Sequence, residues 1–260
     1  MKFRSKIILL VVLTLASVLA VYMPGPISQD PAYHHFCDDR TFFGIADFAN
    51  VISNVLFVLV GVRGLLLLEK SVVPKSIFII YLVLFSGILL TGFGSAYYHS
   101  SPDNDSLVFD RLPMTIVFMA LSSATIGEQI DVRIGVELLF PLLTIGIISV
   151  VWWHYTELAG AGDLRLYILV QYYPIVLIPV ILLLFPSPGT AGRWLHLGWV
   201  VIWYVIAKVF DRYDCAIYSY LGFVSGHTLK HLAATMATWY IVKMYSQKHL
   251  AVPANKKRAV

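Results

Sequence analysis

His227 and His231 stand four residues apart in Gly226-His227-Thr228-Leu229-Lys230-His231, inside a stretch hydrophobic enough to cross a membrane. Residues at i and i+4 share one face of a helix, so both imidazoles can reach a single point. Ionisable side chains at membrane depth are costly and tend to mark function. A second polar run, Ser95-Ala96-Tyr97-Tyr98-His99, ends another hydrophobic stretch, and Asp110 follows eleven residues after His99. Three histidines with one open position make a catalytic zinc site. Zinc polarises a carbonyl and eases the ionisation of water. Asp110 would be the general base for that water, and Ser95 would donate to the oxyanion of a tetrahedral intermediate. Taken alone, His-x-x-x-His also describes a packed pair or a polar contact between apolar helices. The metal reading requires His99 and Asp110 to arrive at the same depth.

Composition says what must position these residues. Of 260 residues, 58% are hydrophobic and only 13% charged, whereas a soluble domain is about 45–50% apolar and about 25% charged. The chain reads as an integral membrane protein. Lipid leaves no partner for open backbone groups, so spans are helices or closed barrels, and long non-alternating apolar runs select helices. Scattered charges with a net +4 give no nucleic-acid footprint, and no Gly-rich phosphate loop is present. Eight apolar segments fall near 7–22, 48–69, 76–98, 112–128, 134–153, 164–185, 194–210 and 221–245. The first follows Lys2, Arg4 and Lys6 and ends in Ala16-Ser17-Val18-Leu19-Ala20, the layout of a signal peptide or an uncleaved anchor. The expected fold is all-α: a seven-helix bundle with an additional N-terminal hydrophobic segment. Its parts are residues 1–22 (signal peptide or anchor), 23–47 (outer segment), 48–245 (bundle) and 246–260 (basic cytoplasmic tail).

The basic residues orient the bundle. With a cytoplasmic C-terminus, Lys2, Arg4, Lys6, Arg63, Lys70, Lys75, Arg133, Arg193, Lys243, Lys248, Lys256, Lys257 and Arg258 lie inside, against Arg40, Arg111, Arg165 and Arg212 outside. His99, Asp110, His227 and His231 then all fall in the outer half of the bilayer. The acids Asp38, Asp39, Asp103, Asp105, Glu157, Asp163, Asp211 and Asp214 lie on the same side. So do Cys37 and Cys215, where thiols can oxidise; they are either a disulfide or two free cysteines. Ser53 and Asn54 read as contacts to neighbouring helices. Lys230 reads as snorkelling or paired with a carboxylate, and Trp152, Trp153, His154 and Tyr155 as an aromatic belt. Arg111 reads as holding a lipid headgroup or neutralising an outer acid. Lys256, Lys257 and Arg258 read as lying against anionic lipid.

Gly94-Ser95-Ala96-Tyr97-Tyr98-His99, then Asp103-Asn104, then Phe109-Asp110-Arg111-Leu112-Pro113-Met114, together with Ser225-Gly226-His227-Thr228-Leu229-Lys230-His231-Leu232-Ala233-Ala234, resemble the alkaline ceramidase family. Asp47-Phe48-Ala49-Asn50-Val51-Ile52-Ser53-Asn54 is similar to that family's first-helix signature, and the likeness runs from about residue 33 to 245. The wider superfamily, with its adiponectin-type seven-helix receptors, shares the Ser/Asp/His pattern; the wording here is closer to bacterial ceramidases. The resemblance implies a seven-helix intramembrane zinc amidase that cleaves the N-acyl bond of ceramide to a fatty acid and a sphingoid base. It puts zinc on His99, His227 and His231 with Ser95 and Asp110 beside it, and a cysteine bridge on Cys37 and Cys215. It also implies a calcium site, for which Asp38, Asp39 and Asp47 lie in the corresponding region. There His35-Phe36-Cys37-Asp38-Asp39-Arg40 replaces a more acidic, Trp-containing segment, with shorter spacing to Asp47.

The leading expectation is a zinc-dependent lipid amidase acting on ceramide or a similar N-acyl lipid. Its partner is a membrane lipid, with no nucleic acid and no obligate protein partner. The alternatives are a receptor or regulatory protein with a structural zinc site, and a hydrolase of another amide or ester lipid.

Overall fold

Long runs of Leu, Ile, Val and Phe without charge cannot stay in water, and helices satisfy their backbone inside lipid. A computed structural model describes residues 1–186 and 190–250. Within them the chain forms α1 (Phe3–Tyr22), α2 (Phe48–Ser53), α3 (Val55–Glu69), α4 (Lys75–Ser100), α5 (Asn104–Gln129), α6 (Val132–Leu158), α7 (Arg165–Leu184), α8 (Thr190–Arg212), α9 (Asp214–Leu221) and α10 (Gly226–His249). Helices α2 and α3 are one span broken at Asn54, whose Nδ2 donates to the Asn50 carbonyl of its own helix at 2.8 Å.

Among the described residues, seven helices are long and apolar enough to cross a membrane: α1, the α2–α3 span, and α4 to α8. Helix α10 is more polar, yet it packs against α8, α3 and α2 and closes the bundle. The bundle proper is therefore α2–α3, α4 to α8 and α10, with α1 outside it. No α1 residue is buried. It leans on α7, with Thr14 Oγ1 and Tyr173 OH 2.5 Å apart. The protein is a multi-pass membrane protein of seven bundled helices plus an N-terminal apolar helix.

Capping chemistry sets where the site-bearing helices begin. Asp103 accepts from Ser106 N at 2.6 Å and Ser106 Oγ accepts from Asp103 N at 3.1 Å, a reciprocal box that starts α5. The hydrophobicity reading began this span at 112, beyond Asp110. The box starts the helix earlier and Pro113 sits inside it, so Asp110 belongs to α5 itself. In α10, Ser225 accepts from Thr228 N at 3.1 Å.

The main core gathers Ile80, Leu84, Phe85 and Ile88 of α4, Ala120 and Ala124 of α5, and Ile241, Val242 and Tyr245 of α10. Lipid is as apolar as these side chains, so close packing and polar contacts hold the helices together. At the end of the bundle away from the histidines, Glu128 of α5 meets Lys248 Nζ at 2.7 Å, His249 Nε2 at 3.0 Å and Tyr81 OH at 2.9 Å. The segment before α2 crosses the histidine end, where His34 bonds Tyr98 OH at 3.1 Å and Asn104 Oδ1 at 3.0 Å.

Candidate metal centre

Two glycines let backbones meet at the site. A Cβ on Gly94 would lie 2.0 Å from the Phe109 carbonyl oxygen, and one on Gly226 would lie 2.3 Å from that of Phe210. The first contact sets α4 directly on α5, beside Ser95 and Asp110. The second sets the start of α10 on the end of α8 and on α9, beside Asp211 and Asp214.

The three histidines converge. His99, His227 and His231 are buried, and one nitrogen from each lies within 4.8 Å of the others. His99 Nε2 and His227 Nε2 are 3.2 Å apart. Two nitrogens bound to one tetrahedral zinc at about 2.0–2.1 Å stand about 3.3 Å apart. Neighbouring groups fix two of the rings. Ser53 Oγ donates to the Asn50 carbonyl at 2.9 Å and lies 2.7 Å from His231 Nδ1, so it accepts the Nδ1 proton. Asp211 Oδ1 lies 3.1 Å from His227 Nδ1 and does the same there. Both rings thereby turn an unprotonated Nε2 toward the centre, the arrangement that orients metal ligands. His99 Nδ1 is buried without a hydrogen-bond partner. Lys230 Nζ is 3.4 Å from Asp211 and 2.7 Å from His227 Nε2, so this lysine pairs with a carboxylate instead of snorkelling. The donor set, three buried imidazoles with two Nε2 atoms turned inward, fits a metal ion such as zinc, which would take the place of Lys230 Nζ at His227 Nε2.

Asp110 and Ser95 are both buried, with the Ser95 hydroxyl bonded to the Asp110 carboxylate and the charges of Lys230 and Arg111 acting on it. Phe36 covers the centre, its ring centroid 4.6 Å from His99 and 4.4 Å from His227. The next residue, Cys37, is joined to Cys215 by a disulfide with the Cα atoms 5.1 Å apart. Asp214 then bridges the two chain segments, accepting from Cys37 N at 3.1 Å and from His227 N at 2.7 Å. Beside α10, an apolar groove of about 390 Å³ runs between α3 and α10, lined by Leu56, Leu59, Leu232, Thr235, Met236 and Trp239.

The three proposed calcium ligands do not converge in this way. Asp38, Asp39 and Asp47 are not among the groups whose ligand atoms lie within 4.8 Å of one another. Arg40 takes both oxygens of Asp38, at 2.7 and 2.8 Å, and its guanidinium holds that carboxyl below the usual range. Asp47 is pushed up to about 6, first by burial and then by Asp39 and Asp38. These residues do not fit a calcium ion.

Arg111 is buried and makes no direct ion pair among the described residues, though its charge acts on Asp110; it donates to Gln29 Oε1 at 2.6 Å and lies 4.1 Å over Trp153 and 4.6 Å over Tyr167. Trp153 is 0% exposed, so it is core, while Trp152 and Tyr155 remain exposed. His154 pairs with Asp105 at 2.7 Å. Ser53 does reach a neighbouring helix, through His231, but Asn54 bonds within its own. Lys256, Lys257 and Arg258 lie outside the described residues. Sequence reasoning missed Asp211, Asp214 and Phe36. The signal for the two aspartates was an acidic pair at a span end, at the depth of the histidines.

None of the curated proteins matches the chain. The family model described as Ceramidase matches residues 28–258. That stretch holds all three histidines, Ser95, Asp110 and the segment that crosses them, and it covers most of the molecule: the chain belongs to the ceramidase family.

Proposed function

We propose that this protein is a zinc-dependent amidase that hydrolyses ceramide or a similar N-acyl lipid within the membrane. The observation that carries this reading is the convergence of three buried imidazoles, two with Nε2 held inward, beside the Ser95–Asp110 pair. Bound at His99, His227 and His231, zinc would act as a Lewis acid on the acyl carbonyl and help ionise the attacking water. Asp110 takes the proton of that water and returns it to the leaving amine. Ser95 donates to the Asp110 carboxylate at rest; once Asp110 has taken the water's proton that hydrogen bond reverses, and the Ser95 proton is free to meet the developing oxyanion. Phe36 keeps bulk water off the rings, which strengthens each electrostatic contact beneath it. The α3–α10 groove offers a path for a lipid chain that stays in the bilayer, and Leu232, in its wall, follows His231 directly. The basic-residue bias supports an outward-facing site with a cytoplasmic C-terminus.

Asp110→Ala is the test. The variant should fold, retain zinc and lose labelled-ceramide hydrolysis by a factor of about 10² or more. Full activity would remove Asp110 from the mechanism. A wild-type protein that holds zinc but turns over no member of an N-acyl lipid panel would instead favour a structural or receptor role.

A further inference from the structure

The segment that resembles a calcium site contains its own cation. We propose that the Arg40 guanidinium does here the work a calcium ion would do, so that the fold is independent of calcium. Asp38 is 1% exposed, and a carboxylate at that depth needs a cationic partner. Arg40 meets it as a two-pronged fork, Nε to Oδ1 at 2.7 Å and Nη2 to Oδ2 at 2.8 Å, the strong geometry for this pair. The same Nη2 donates to the Phe223 carbonyl at 2.8 Å, in the loop between α9 and α10. The guanidinium also lies over the Phe42 and Tyr218 rings, at 5.7 and 5.6 Å. Calcium gathers about six to eight oxygens, carboxylates among them. With a guanidinium charge against both of its oxygens, Asp38 is a poor ligand for a second cation.

One side chain thereby ties the N-terminal segment to the α9–α10 loop, as a shared ion would. Its neighbours depend on that tie. Cys37 is bridged to Cys215, Asp214 holds both Cys37 N and His227 N, and Phe36 rests on the His99 and His227 rings. Arg40 is in these terms a positioning residue for the lid over the histidines.

The experiment uses the full chain in detergent, dialysed against millimolar calcium chloride or against calcium-stripped buffer. Bound calcium and melting temperature are the readouts, and neither depends on the amidase reading. Wild-type protein should retain no calcium and melt identically in both. Arg40→Gln should melt about 5 °C lower in both buffers. Arg40→Lys, which keeps the charge without the fork, should fall between the two and take up no calcium. Stoichiometric calcium on wild-type protein with a raised melting temperature would overturn the proposal. So would an Arg40→Gln variant that melts like wild type.

Discussion

At the scale of single residues, the protonation pattern of the histidine centre is set by groups that never touch its middle. Ser53 and Asp211 each accept an Nδ1 proton, and the two rings consequently present Nε2 inward. Outer partners of this kind carry about 10- to 100-fold in metal affinity. Asp211→Asn should lose that much zinc affinity, measured by competition with a chromophoric chelator, while Asp214→Asn, which leaves the rings untouched, should lose less. Equal affinity in Asp211→Asn and wild type would make the carboxylate incidental. Asp47 makes a second case. Its carboxyl is raised from 3.8 to about 6, so the folded state holds the proton more tightly than the unfolded chain does. Its contribution to stability is complete below pH 3.8 and is lost as pH rises through about 6. Asn tolerates the left-handed conformation of position 47, φ +46°. Asp47→Asn should melt like wild type near pH 4 and about 3 °C higher at pH 7, an effect on the order of 1 kcal/mol. A melting difference that does not change with pH would exclude Asp47 as its source. The histidines were legible because a four-residue spacing is a local property of one helix. Asp211 was not, because its role exists only where the end of α8 meets the start of α10.

At the scale of elements, the site depends on two close approaches. Gly226 admits the Phe210 carbonyl and the Asp214 backbone, which a Cβ would meet at 2.3 and 2.7 Å. Both obstacles are backbone, so α10 would have to move. Gly226→Ala should cost roughly 2–4 kcal/mol, lowering the melting temperature by about 5–10 °C and releasing zinc as His227 shifts from Asp211. Gly198 of α8 has no atom within 4 Å of its would-be Cβ, so Gly198→Ala should melt within about 2 °C of wild type. If the two variants melt alike, close approach at Gly226 is not what seats α10. The sequence reading placed these helices correctly in order but began α5 too late. Hydrophobicity marks the part of a helix that suits lipid, whereas capping marks where its backbone bonds begin. Asp103 and Ser106 carried that signal, and Asp110 lies between the two boundaries.

At the scale of the molecule, polar residues separate to the two ends of an apolar bundle, with Phe36, the disulfide and Arg40 over one end and the Glu128 cluster at the other. The basic-residue bias predicts that the Glu128 end faces the cytoplasm. A green fluorescent protein fused to the C-terminus should fluoresce and an alkaline phosphatase fused there should be inactive; the opposite pattern would invert the orientation and put the histidines on the inner side. Composition alone determined that the chain spans a membrane as helices, because 58% apolar residues in long unbroken runs have no other way to satisfy their backbone. Spacing determined which histidines share a face, because helical geometry is local. Only the tertiary structure decided which groups hold those rings, that Arg111 turns inward onto Trp153, and that a guanidinium occupies the carboxylate of the expected calcium site. Each of these rests on contacts between segments far apart in the chain, whose distances follow from packing and leave no trace in periodicity.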